Sequence, residues 1–141
     1  MADCLFCEIV SGRAPAFVVL DEPEVLGFLD VRPLFPGHVL VVPKAHRDTL
    51  LDVPTAELGP LFAHVQHLAA AMEGALGAKG SFVAINNRVS QSQPHLHVHV
   101  VPRTKGDGLR GFFWPRTRYG DGEAEQVAAT LREWLAANPA A

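Results

Sequence analysis

Three histidines separated by single aliphatic residues, His95-Leu96-His97-Val98-His99, are the part of this chain best equipped for chemistry. Imidazole has the side-chain pKa nearest neutrality, so it can act as nucleophile, base or acid without a large shift. Strict alternation is the period of a β-strand and puts all three rings on one face, roughly 6–7 Å apart. A phosphate ester or anhydride could then touch two or three rings at once. Each added positive charge disfavours the next, which keeps at least one ring neutral at pH 7. A metal site and a merely polar strand face are the competing readings. Just upstream, Gln91-Ser92-Gln93-Pro94 offers amide and hydroxyl donors where phosphate oxygens would need them, or else forms a plain polar loop. The only two cysteines, Cys4 and Cys7, make a CxxC pair, which reads as a metal or redox element or as idle thiols.

The elements that must position these groups follow from periodicity. Residues 4–10 form a short helical turn, closed by Ser11-Gly12-Arg13-Ala14-Pro15. Apolar runs Phe17 to Asp21 and Val25 to Asp30 flank the turn chemistry of Glu22-Pro23-Glu24, and His38 to Pro43 follows Leu34-Phe35-Pro36-Gly37, so three strands form an antiparallel meander. Asp52-Val53-Pro54-Thr55 starts a helix. Its apolar residues recur at threes and fours from Leu58 to Leu76, and Gly77 ends it. His64 and His67 sit one turn apart on it and read as solvent-facing or capping groups rather than ligands. Phe82 to Ile85 is a fourth strand and the histidine run, between Pro94 and Pro102, a fifth, with Leu96, Val98 and Val100 facing the core. Glu123 to Ala137 is a final helix with Trp134 on its apolar face, stopped near Pro139.

Composition narrows the classes. The 141 residues suit one domain over 1–141, and 48 % hydrophobic content argues for a folded core. A net charge of −3 gives no footprint for duplex nucleic acid. No run is long enough to span a membrane and no secretory signal is evident, so the expected location is cytoplasmic.

The run His95-Leu-His97-Val-His99-Val-Val, with Gln91-Ser92 before it and Asn86-Asn87 further back, resembles the signature of the histidine triad family of nucleotide hydrolases and transferases. The resemblance implies that His97 is the nucleophile, forming a covalent nucleotidyl-histidine, and that His99 contacts the phosphate or leaving group, with His95 and Ser92 completing the catalytic set. It implies a nucleoside pocket from Leu5, Phe6, Ile9, Phe28, Leu29, Asp30 and Val31, where Asp30 accepts the ribose hydroxyls, with Asn86, Gln91, Ser92, His97 and His99 toward the phosphates. Ser90 replaces the usual glycine, and Asn86 or Asn87 fills the family's asparagine position. Cys4, Cys7, His46 and His95 resemble the ligands of the family's zinc-bearing branch, a structural Zn²⁺ with no catalytic metal. His38 fits a family position beside the triad.

The resulting expectation is an α+β fold with a five-stranded antiparallel sheet, one long helix and a C-terminal helix, paired as in the family into a homodimer with a continuous sheet. The expected activity is cleavage at the α-phosphate of a nucleoside phosphoramidate or dinucleoside polyphosphate. A phosphorylase using phosphate in place of water, and a zinc-stabilised nucleotide-binding module, are the alternatives. The aromatic segment from Gly111 to Pro115 with Arg116 and Arg118 is expected to pack on the core or across a dimer interface and to meet the leaving phosphates of a polyphosphate.

Overall fold

The computed structural model describes residues 4–109 and 116–140, so the aromatic segment 111–115 lies outside the described residues. Two compact units are present, one ending at Asp107 and the other beginning at Gly108. The first contains α1 (Leu5–Val10), β1 (Val18–Asp21), β2 (Val25–Leu29), β3 (Val39–Pro43), a 3₁₀ turn (Leu50–Asp52), α2 (Thr55–Leu76), β4 (Gly80–Ala84) and β5 (Val98–Arg103). The second carries α3 (Glu123–Ala137), whose Val127, Leu131 and Trp134 recur on one stripe and whose last turn is closed by the Asn138 amide donating to the Trp134 carbonyl.

The sheet is antiparallel throughout, in the order β1-β2-β3-β5-β4. The meander of the first three strands is as expected, and β5 then inserts between β3 and β4. Each side of the sheet has its own core. Val25, Val39, Val41, Val98 and Val100 face α2 and pack on Leu61, Val65 and Met72, whereas Leu26, Phe28, Leu40 and Val42 face α1 and pack on Phe6 and Cys4. Alternating apolar residues on both faces are what a sheet covered on two sides requires.

Several strand boundaries and one helix cap differ from the sequence reading. The fifth strand begins at Val98 rather than at the first histidine. Val41 pairs with Val98, so continuing the register would set Pro43 opposite Leu96. Proline has no N–H for the ladder, and the Leu96 amide donates instead to the Arg47 carbonyl at 2.6 Å. At its other end β5 runs on to Arg103, opposite Gly80, so β4 begins before Phe82. The long helix occupies the expected span, but its N-cap is Pro54 without a side-chain cap. The capping box belongs to the preceding turn, where Thr49 accepts from the Leu51 amide and Asp52 from the Thr49 amide.

Gly37, in the loop leading to β3, has φ +100°, and a Cβ there would lie 2.6 Å from Leu76 Cδ1. Gly37→Ala should therefore destabilise the fold by about 1 kcal/mol or more, read as a lower urea midpoint with unchanged slope. An unchanged midpoint would mean the loop relaxes without cost.

Candidate functional site

The first cluster forms where α1 meets the loop before β5. Cys4 caps α1, its sulfur accepting from the Cys7 amide at 3.3 Å, and this brings both sulfurs under the histidine run. His95 Nδ1 lies 3.4 Å from Cys4 Sγ and 3.6 Å from Cys7 Sγ, and His46 Nδ1 lies 3.2 Å from Cys7 Sγ. A tetrahedral zinc with ordinary Zn–S and Zn–N bonds would have sulfur–nitrogen edges of about 3.5 Å. The four ligand atoms all lie within 4.8 Å of one another.

The outer nitrogens complete the fit. His95 Nε2 donates to the Pro43 carbonyl at 2.8 Å, and His46 Nε2 donates to the Asp48 carboxylate at 2.7 Å. Each bond fixes the proton on Nε2 and turns the Nδ1 lone pair toward the sulfurs, the arrangement that metal-bound histidines need. Burial, with Cys4 beside it, pushes the Cys7 thiol up, because a second thiolate there would stand uncompensated, and a cation between the two sulfurs would remove that penalty. The cluster fits a zinc site.

The second cluster lines a cleft of about 630 Å³ on the same face of the sheet. Leu5, Phe6, Ile9, Phe28, Leu29, Asp30, Val31, Ser92, His97 and His99 all line it, as the sequence reading expects, together with Gln93. His97 is nearly buried, with its ring edge-on to Phe6 at 5.1 Å and 5.0 Å from the His99 ring. His97 Nδ1 donates to the His95 carbonyl at 2.9 Å, which leaves Nε2 as the nitrogen carrying the lone pair. One oxygen of Asp30 accepts from the Arg32 amide at 2.9 Å, and the other lies 3.8 Å from His38 Nε2.

Three expected residues lie elsewhere. His95 is absent from the cleft lining, and both its ring nitrogens are engaged, so a phosphate would meet two rings rather than three. Gln91 donates to the Asp48 carbonyl at 2.6 Å and accepts from the Arg88 amide at 2.8 Å, bracing the loop, and Asn86 is exposed outside the cleft. Asn87 accepts from the Leu50 amide at 2.9 Å. Sequence reasoning missed Asp48, although His46-Arg47-Asp48 places a carboxylate beside a ligand histidine. It also missed Ala14, Pro15, Ala16 and Leu40 in the cleft wall, small or apolar residues with no signal beyond their position, and the charged Arg32 beside Asp30 and Val31.

Burial, then the neighbouring His97 and His38 rings, push His99 from near 6.5 down to about 4, against an opposing pull from Asp30. Burial also pushes His38 down. The folded protein thus binds a proton at His99 more weakly than the unfolded chain does. The associated stability is present above about pH 6.5 and is lost as pH falls toward about 4. The His99 Cε1–H resonance should hold its position down to about pH 5. A ring titrating near its ordinary value would contradict the burial argument.

A family model for the HIT domain matches residues 11–106, the stretch holding every strand of the sheet. An uncharacterised HIT-like protein of Mycobacterium tuberculosis is 36% identical over 98% of this chain and 96% of its own length. The adenylylsulfatase HINT3 of Arabidopsis thaliana is 31% identical over 97% of this chain and 72% of its own, and the adenosine 5'-monophosphoramidase HNT1 of Candida albicans 28% over 96% and 93%. Among solved structures, a Streptococcus mutans protein superposes with a TM-score of 0.87 at 33% identity, covering 96% of this chain and 87% of its own. A zinc-bound histidine triad family protein of Mycobacterium smegmatis gives 0.73 at 36%, covering 97% and 99%. No helix among the described residues is long and apolar enough to cross a membrane. Sequence, sheet order and the histidine run converge, and the chain belongs to the HIT family.

Proposed function

We propose that this protein is a nucleotidyl hydrolase or transferase acting at the α-phosphate of a nucleoside phosphoramidate, mixed anhydride or dinucleoside polyphosphate. The observation that carries the reading is His97 held through Nδ1 by the His95 carbonyl, with Nε2 free beside the His99 ring in the cleft. His97 Nε2 attacks phosphorus and forms the N–P bond. The bond from phosphorus to the leaving amine or oxyanion breaks, and its electron pair departs with the leaving group. The imidazole gains positive charge as it bonds, and that charge strengthens the Nδ1–H bond to the His95 carbonyl. Water then attacks the nucleotidyl-histidine, its P–O bond forming as the N–P bond breaks; the electron pair returns to Nε2, the nucleotide is released, and the water's proton passes to solvent, replacing the proton that a leaving amine takes up. Asp30 accepts from the ribose hydroxyls, and Phe6 and Phe28 bound the apolar end of the cleft.

Cys4, Cys7, His46 and His95 would hold a structural zinc, which when bound ties α1 to the residue whose carbonyl orients His97. The names of HINT3 and HNT1 support adenylyl sulfate and adenosine phosphoramidate as trial substrates. A cytoplasmic homodimer remains part of the proposal.

The test is incubation with adenosine phosphoramidate, adenylyl sulfate and diadenosine tetraphosphate, with and without inorganic phosphate, followed by product analysis. AMP release without added phosphate supports the reading. ADP formed only when phosphate is present would make the enzyme a phosphorylase. AMP binding with no turnover of any substrate would leave a binding module.

A further inference from the structure

We infer that His38 is a positioning residue that fixes the tautomer of His99, so that His99 meets the substrate as an Nε2–H donor to a phosphate oxygen. The role assigned to that donor rests on the nucleotidyl-transfer reading above.

The argument starts from a backbone amide. Leu34 N–H donates to His38 Nδ1 at 3.1 Å. An amide offers only a proton, so Nδ1 must hold a lone pair, and the single proton of the neutral ring sits on Nε2. That nitrogen lies 2.9 Å from His99 Nδ1, which must therefore accept. The His99 proton is left on Nε2. Among the described residues no buried side-chain nitrogen lacks a partner, so this remaining N–H is open toward the cleft that His99 lines. Hydrogen-bond direction thus passes from the Leu34 amide through His38 and His99 to the substrate.

His97 is set the other way, with its proton on the far nitrogen and its lone pair in the cleft. Two rings 5.0 Å apart then present opposite polarity, one an electron pair for phosphorus and the other a proton for phosphate oxygen. Without His38, the two tautomers of His99 would interchange, and one of them points a lone pair at the phosphate. His38 is only 3 % exposed, so water is poorly placed to replace its ring.

The same atoms allow a rival arrangement, because Asp30, His38 and His99 place ligand atoms within 4.8 Å of one another. A cation there would need the Nε2 lone pair of His38. Its proton would then move to Nδ1, directly against the Leu34 N–H, so the geometry favours the tautomer chain.

Long-range ¹H–¹⁵N spectra of the full chain labelled in histidine, at pH 7.5, read each tautomer directly. The expected result is Nε2–H for His38 and His99 with Nδ1–H for His97. His38→Gln keeps an amide donor near His99 Nδ1 and should retain the His99 tautomer and most turnover. His38→Leu should let His99 populate both tautomers and lower kcat on the order of 10²-fold with little change in KM. An Nδ1–H His99 in the wild type would overturn the inference, as would unchanged His99 signals or kcat in a folded His38→Leu protein. Selective shifts of His38 and His99 on adding Zn²⁺ beyond one equivalent would overturn it in favour of a cation site. The tautomers are read without substrate, so failure to turn over any nucleotide would defeat the functional reading while leaving the tautomer assignment measured.

Discussion

His97→Ala should abolish turnover, by about 10⁴-fold or more, with the fold and nucleotide affinity largely kept. The bond between this ring and phosphorus exists only along the reaction path, so its loss falls on the transition state rather than on substrate binding. A loss of 10⁴-fold corresponds to about 5.4 kcal/mol of barrier, far more than the single Nδ1 hydrogen bond to the His95 carbonyl could supply. The ring's contact with Phe6 also disappears, and a melting curve separates that packing loss from the chemical one. Rapid acid-free quenching of the wild type with substrate labelled at the α-phosphate should trap label on protein, and the variant should trap none. A variant retaining a tenth of the wild-type rate would remove His97 from the role of nucleophile.

The second large effect concerns the metal. Purified protein should carry about one zinc per chain, and its removal should lower the melting temperature by about 10 °C or more, since closed Cys/His sites contribute folding free energy directly. The effect should fall short of complete unfolding. Zinc fingers unfold without metal because they have little else, whereas here Leu96, Val98 and Val100 are fully buried against α2 on the other side of the sheet. Cys7→Ser should behave like the metal-free protein and fail to recover when zinc is restored. Elemental analysis showing no zinc, with a melting temperature that neither a chelator nor added zinc alters, would mean the four residues are held by hydrogen bonds alone.

What the sequence could reveal divides along the range of the interactions. Alternation within residues 95–100 is local, and it correctly sends Leu96, Val98 and Val100 to one core and the histidines to the other side, even though only His99 lies in the strand. The early end of pairing was not legible, because it depends on Pro43, distant in sequence from Leu96 and opposite it only once the strands align. The insertion of β5 between β3 and β4 likewise has no local signal. The CxxC pair is visible by itself, while His46 and His95 joined it only through the family resemblance, and Asp48 acts through a ring whose orientation cannot be read from spacing. The loop before the triad misled for a backbone reason. Arg88 and Ser90 both have positive φ, 69° and 61°, conformations usually marked by glycine. Ser90 keeps the left-handed turn without the residue that would announce it, and Asn86 and Gln91 end up away from the cleft.

The place of β5 also bears on how the protein is made. Among the described residues it is the last strand to leave the ribosome, yet its neighbours β3 and β4 flank it on either side. Until residues near Arg103 have emerged, β3 and β4 have no strand to join them, and His97 and His99 do not yet face the residues of the N-terminal half. From the emergence of β3 to that of β5 the nascent chain therefore carries an unpaired β3 edge, a template for pairing with other chains. The cleft histidines and the strand that joins β3 to β4 arrive together, so any turnover observed during translation would report a joined sheet.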